Sequence, residues 1–274
     1  MKVRQSTLGE ADKCLRSLQF SLESPVYHGG IARAIGTAYH KGMEVHYDSG
    51  QPLSGLEVIS VALQCLQDTV ELKPSHISEH TKTAGAFKFD DKFPDTETAA
   101  QVVVDMITAY FGGGHEWPEE WNVLDVEPEF HLPFVDGHTR DGSPDLVLEG
   151  PDGGIVVVDH KTAGNKWAYN KHEARKQNQS PWLIAAMKLI YPDRPSYRFA
   201  FDIMTYKGVF ERRISNVTDA HIEAVEKKAL AVVAIYETIR AAGHDLPVNP
   251  SSNLCSPKYC DHWDICPSGA ALDL

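Results

Sequence analysis

The chain has 274 residues, 42% of them hydrophobic and 23% charged, with a formal net charge of −12. Those values describe a globular chain of one large or two small domains that buries its own core without covalent staples. They exclude disorder, collagen and coiled coil as its class, and the acidic balance excludes a global positive field that would coat nucleic acid or an anionic membrane.

In chain order, MKVRQSTLGEADKC opens the sequence without an apolar signal segment. No apolar run approaches the roughly 20 residues of a membrane helix, so a cytoplasmic location and no membrane partner are expected. The first third reads mainly helical. Helical spacing predicts helices over 31–47, 55–72 and 96–111, with the mixed segment 73–95 a loop or lid. The period then changes. Residues 122–135 alternate and are rich in β-formers, 136–143 (DGHTRDGS) form a turn cluster, and 144–150 read as a short strand. PDGG (151–154) is a tight turn. In 155–161, Ile155 to Val158 lead into Asp159-His160-Lys161, which predicts a central strand covered on both faces. A helix follows over 172–191, then two strands within 196–215 joined at Lys207-Gly208. A long amphipathic helix spans 218–243, and the tail from 244 is irregular.

Chemistry concentrates at Pro144-Asp145 and, after 13 residues, Asp159-His160-Lys161. Side chains two apart on a strand share a face, so Asp159 and Lys161 point one way and His160 the other. The turn brings Asp145 beside Asp159. Two carboxylates with the backbone carbonyl of His160 make a hard-oxygen site for Mg²⁺ or Mn²⁺. Lys161 is placed to orient or deprotonate an attacking water, or to stabilise charge growing on phosphorus. Glu127 and Glu129 precede the hairpin and are further candidates for a second metal.

An odd number of cysteines, five, in a reducing compartment argues against a disulfide framework and allows metal ligation. Cys255, Cys260 and Cys266 have metal-ligand spacing, suited to zinc or iron–sulfur. Three ligands need a fourth; His262 would complete a Cys₃His zinc site. Cys65 lies on the apolar side of its helix and reads as core. Lys166, Lys171, Arg175 and Lys176, interleaved with Trp167, Tyr169 and His172, fit a phosphate track with base stacking beside the metal site.

The Pro144-Asp145 and Asp159-x-Lys161 pattern resembles the signature of PD-(D/E)XK nucleases. More narrowly, it resembles the RecB-like exonuclease branch that includes CRISPR-associated and phage exonucleases. Gly36-Thr-Ala-Tyr-His40 is similar to the upstream G-x-x-x-H motif of that branch, which implies His40 as a metal ligand. Gln177-Asn-Gln179 falls where the branch carries a glutamine, which implies Gln179 as the group positioning Lys161 or the scissile phosphate. One cysteine before the core and three after imply that Cys14, Cys255, Cys260 and Cys266 hold a [4Fe-4S] cluster. Four residues separate Cys255 from Cys260 where the branch commonly has two, which keeps Zn²⁺ as the alternative.

The resemblance implies an α/β restriction-endonuclease-like core within a single domain over 1–274. Its parts are a helical insertion at 31–115, a catalytic mixed sheet flanked by helices at 120–215, and a metal-cluster cap of 250–270 with Cys14. The implied activity is a divalent-metal-dependent DNA exonuclease acting on or producing single strands, with a recombination partner protein, and leaving a 5′-phosphate and a 3′-hydroxyl. An endonuclease or flap nuclease of the same superfamily, and a single-strand DNA-binding or recombination protein that lost chemistry, are the alternatives.

Overall fold

The structure is a computed structural model that describes the chain except for residues 24–25, 28–29, 49, 51–52, 72–81, 84–86, 166–177, 257–259, 261 and 268–274. It has the expected α/β architecture, with a mixed central sheet between helical layers.

The N-terminal part is strand β1 (Lys2–Val3), helices α1 (Gln5–Lys13) and α2 (Leu15–Glu23), strand β2 (Val26–Tyr27), helices α3 (Ile31–Asp48) and α4 (Gly55–Val70), strand β3 (Lys82–Thr83) and helix α5 (Thr96–Gly112). Ser54 starts α4 through a reciprocal cap: its hydroxyl accepts from the Glu57 N–H at 3.4 Å, and the Glu57 carboxylate accepts from the Ser54 N–H at 2.8 Å. Asp95 starts α5 by accepting from the Thr98 N–H at 2.7 Å. The apolar stripes of α3, α4 and α5 meet in one cluster built on Ile35, Met43, Ala62, Leu66, Val103 and Met106.

The sheet core follows as β4 (Asn122–Val126), β5 (Phe130–Pro133), β6 (Thr139–Gly142), β7 (Leu146–Glu149), β8 (Ile155–Ala163), helix α6 (Gln179–Ile190), β9 (Tyr197–Thr205), β10 (Phe210–Asn216) and helix α7 (Asp219–Ala241). The five-stranded sheet runs β10-β9-β8-β7-β4; β8 is antiparallel to β7 and parallel to β9. Parallel pairing needs a crossover, and the segment holding α6 supplies it. Ile155, Val156, Val157 and Val158 are each fully buried, as a central strand covered on both faces requires. Val156 and Val158 join Leu146, Leu148 and Trp117 on one face. Ile155 and Val157 join Phe199, Phe201 and Leu183 of α6 on the other.

One sequence expectation is divided and another is corrected. The β-former-rich stretch 122–135 holds two strands, β4 and β5, in different sheets. The break comes at Glu127, whose φ of +46° no strand tolerates, followed by Pro128 with no N–H to give a ladder. The turn cluster 136–143 ends after Gly137, and β6 begins at Thr139, parallel to β1 and antiparallel to β5. Pairing on both edges outweighs the weak strand preference of Thr-Arg-Asp-Gly.

The long C-terminal helix stops just before Gly243, which takes φ +75°. With β1, α1 and α2 it forms a separate cluster around Val3, Leu8, Leu18, Val225 and Ala229. Trp182 of α6 lies at its centre, donating to the Asp141 carbonyl at 3.1 Å beneath the Arg140 guanidinium. Among the described residues no helix is long and apolar enough to cross a membrane.

Candidate active site

The β7–β8 ladder ends at the pair Leu146–Val158, so Asp145 and Asp159 emerge together where the hairpin leaves the core. The Asp145 carboxylate accepts the His160 backbone N–H at 2.6 Å, and His40 Nδ1 stands 3.5 Å from it. Asp159 and Lys161 share a face: the Lys161 ammonium pairs with Asp159 Oδ2 and lies 5.8 Å from the centre of the Phe201 ring. Gln179, the first residue of α6, donates from Nε2 to Asp159 Oδ1 at 2.5 Å. Its partner here is Asp159, which also pairs with Lys161. The His160 ring points to the opposite face, buried with its centre 6.1–6.4 Å from the rings of Tyr39, His40 and Tyr47.

Helix α3 delivers His40. One turn earlier, a Cβ on Gly36 would stand 3.0 Å from Thr162 Oγ1, a tight contact that shows how closely α3 lies against the end of β8. The spacing of Gly36 and His40 therefore has a packing reason as well as a chemical one.

The carboxylates are driven apart electrostatically. Burial raises the Asp159 carboxyl, Lys161 partly opposes this and Asp145 adds to it, leaving Asp159 pushed up to about 6. Burial acts the same way on Asp145, but the His40 charge and hydrogen bond, with His160 and Lys161, outweigh it and hold Asp145 down at about 2. Burial disfavours charge on His40, yet Asp145 overcomes it and raises that pKa. Burial lowers the His160 pKa. Two neighbouring carboxylates, one of them held reluctantly ionised by burial, form a donor set that a divalent cation would satisfy. Among the described residues no group of three or more His, Cys, Asp or Glu side chains is already set to hold a metal ion.

A cleft opens beside these groups, lined by Arg33, His40, Glu44, Glu127, Thr162 and Tyr206. Glu127 stands at its edge, with its backbone N–H bonded to the Asp145 carbonyl at 3.0 Å. Burial and the neighbouring Glu44 and Asp145 raise its carboxyl pKa. Glu129 is exposed and does not line the cleft. Glu44 was not singled out from sequence; its signal was the i, i+4 spacing from His40 on one helix face. Lys166, Trp167, Lys171, Arg175 and Lys176 lie outside the described residues.

Cys65 lies apart from the other four cysteines. Cys65 is buried in α4, its thiol 4.0 Å from the Thr37 carbonyl. Cys14, Cys255, Cys260 and Cys266 line one cavity with His262 and Phe20. Burial, with the neighbouring cysteines, pushes the Cys255 thiol up. Cys14 Sγ accepts from the Asn249 N–H at 3.4 Å, and His262 Nε2 lies 3.2 Å from Ser21 Oγ.

Hairpin carboxylates with a lysine two residues on, in a mixed sheet, define a class of metal-dependent phosphodiesterase. The model of the PD-(D/E)XK nuclease superfamily matches residues 12–267, and the chain belongs to that superfamily. Its fold is the restriction-endonuclease-like α/β fold. No curated protein matches the chain. A solved structure entitled "Crystal structure of SSO0001" is similar at 13% identity over 96% of this chain and 95% of that one, with a TM-score of 0.36.

Proposed function

We propose that the chain is a divalent-metal-dependent DNA exonuclease of the RecB-like branch, working in the cytoplasm in recombination, repair or phage DNA processing. The observation that supports it best is the meeting of Asp145, Asp159, Lys161, His40 and Gln179 at one end of the β7–β8 hairpin. Mg²⁺ or Mn²⁺, when bound, supplies a Lewis acid toward the phosphodiester and its attacking water. Asp145 and Asp159 hold it, with the His160 carbonyl and the His40 imidazole beside them. Gln179 fixes the orientation of Asp159 from the α6 side. Lys161 stands next to both, where its ammonium holds the attacking water or stabilises the charge that grows on phosphorus. Gly36 keeps His40 in reach.

The second part of the proposal is a [4Fe-4S] cluster on Cys14, Cys255, Cys260 and Cys266. Its support is the single cavity that all four line. Zinc with three cysteines and His262 is the competing occupant.

The test is degradation of end-labelled linear DNA, single- and double-stranded, with Mg²⁺ or Mn²⁺, beside a covalently closed circle. Stepwise release of label from linear DNA with the circle left whole is expected, and the labelled end lost first gives the direction. Cutting of the circle would make the protein an endonuclease or flap nuclease. Metal-independent binding without cleavage would make it a single-strand-binding or recombination protein.

A further inference from the structure

Gln179 holds Asp159 from the start of α6, and the residue just before it is anchored outside the sheet core. Asn178 has helical backbone angles, φ −62° and ψ −26°, and its carbonyl accepts from the Trp182 N–H at 3.2 Å. A capping asparagine has an extended backbone and turns its side chain onto the N–H groups of its own helix. Asn178 does neither. Its amide nitrogen donates to Asp12 Oδ2 of α1 at 3.0 Å, and its amide oxygen accepts from Lys228 Nζ of α7 at 3.0 Å. The Lys228 ammonium also pairs with Asp12 Oδ2, which closes a triangle. Three helices from distant parts of the chain thus meet at the residue next to Gln179.

The triangle is poorly suited to add stability. Asp12 and Lys228 are both partly exposed, and exposed ion pairs contribute little to folding. Its effect is geometric. Hydrogen bonds on both ends of a planar amide fix the Asn178 side chain, and with it the first turn of α6. That turn carries Gln179, whose Nε2 donates to Asp159 Oδ1, while Lys161 pairs with Oδ2. Asp159 is therefore held on both oxygens, and a shift at the start of α6 would free one of them. Partners that orient a metal-holding carboxylate strongly affect metal affinity.

Resting on the reading of Asp159 as a metal ligand, we propose that Asp12, Asn178 and Lys228 are positioning residues for the metal site, acting through Gln179 on Asp159. Helices α1 and α7, which lie outside the catalytic sheet, set the orientation of a carboxylate within it.

The experiment compares native protein with Asn178→Ala, Gln179→Ala and the double variant. Mn²⁺ affinity is measured by calorimetry, kcat and KM on linear DNA, and stability by thermal melting. Asn178→Ala should melt close to native protein, weaken Mn²⁺ binding and lower kcat about three- to tenfold, and leave KM for DNA unchanged. Gln179→Ala should lose at least as much, and adding Asn178→Ala to it should cost nothing further, because residues that act along one route are not additive. Asp12→Ala, at an exposed site on another helix, should match Asn178→Ala and carries the same test should that variant fail to fold. Asp12→Asn keeps an oxygen acceptor at that place and should retain most of the native Mn²⁺ affinity.

Native Mn²⁺ affinity in folded Asn178→Ala and Asp12→Ala would overturn the proposal. Additive losses in the double variant would overturn the route through Gln179. A loss confined to KM for DNA would make the triangle a support of the DNA contact and overturn the positioning role. If Gln179→Ala binds Mn²⁺ and cleaves like native protein while Lys161→Ala is inactive, the proposal fails and the nuclease reading stands. If native protein binds no Mn²⁺, the metal-site reading and the proposal fail together.

Discussion

Asp145 and Asp159 sit side by side, yet the first is stabilised as an anion and the second is not. Asp159 has its folded pKa at about 6, above its ordinary value of 3.8. Between those values the folded chain keeps a proton that the unfolded chain has lost, so stability falls as pH rises through that window. In chelator at pH 8, Asp159→Asn should therefore be more stable than native protein, on the order of 1–3 kcal/mol, with the gain gone near pH 4. Asp145→Asn should do the reverse and destabilise at neutral pH, because the native anion is held by His40 and the His160 N–H. Thermal melts of the three proteins at both pH values check this, and an Asp159→Asn variant less stable at pH 8 would contradict it. Both aspartates and Lys161 were legible because strand period and hairpin geometry place them. Glu44 was not, since a carboxylate on a helix is unremarkable until the cleft it faces is known.

At the scale of elements, the function depends on how closely α3 approaches β8. A side chain at Gly36 would meet the Thr162 hydroxyl, and a helix that moved to accept a larger one would carry His40 away from Asp145. Gly36→Val should cost on the order of 1–3 kcal/mol in stability by overpacking and weaken Mn²⁺ binding together with cleavage. Isothermal calorimetry and chemical denaturation check both, and full metal affinity in a folded variant would remove the packing role. Helices α3, α4 and α5 were legible from apolar spacing, and β8 from its unbroken apolar run. The helices α1 and α2 were not separated, and β6 was not seen. Its strand state depends on partners at both edges, β1 far back in the chain and β5 just before it, rather than on its own residues.

Across the whole molecule, α2 meets the segment that follows α7. Gln19 on α2 donates to Asp245 at 2.9 Å and accepts from the Leu246 N–H at 2.9 Å, and Arg16 pairs with Asp245 at 2.7 Å. This clasp stops short of Cys255, so the order of the last cysteines should depend on the metal. Protein purified without oxygen should be brown, Cys14→Ser should bleach it and open the tail beyond residue 250 to protease, and Cys65→Ser should leave the metal in place. Elemental analysis with zinc and no iron would give the cavity to zinc, and neither metal would empty it of any role. The catalytic claim is tested most directly by the rate of label release from linear DNA with Mn²⁺, measured for native protein and for folded Lys161→Ala. Lys161 follows the apolar run of β8, two residues before the strand ends, and is not part of the core, so the variant should fold and its rate should fall by about a hundredfold or more. A near-native rate in the folded variant would contradict the site.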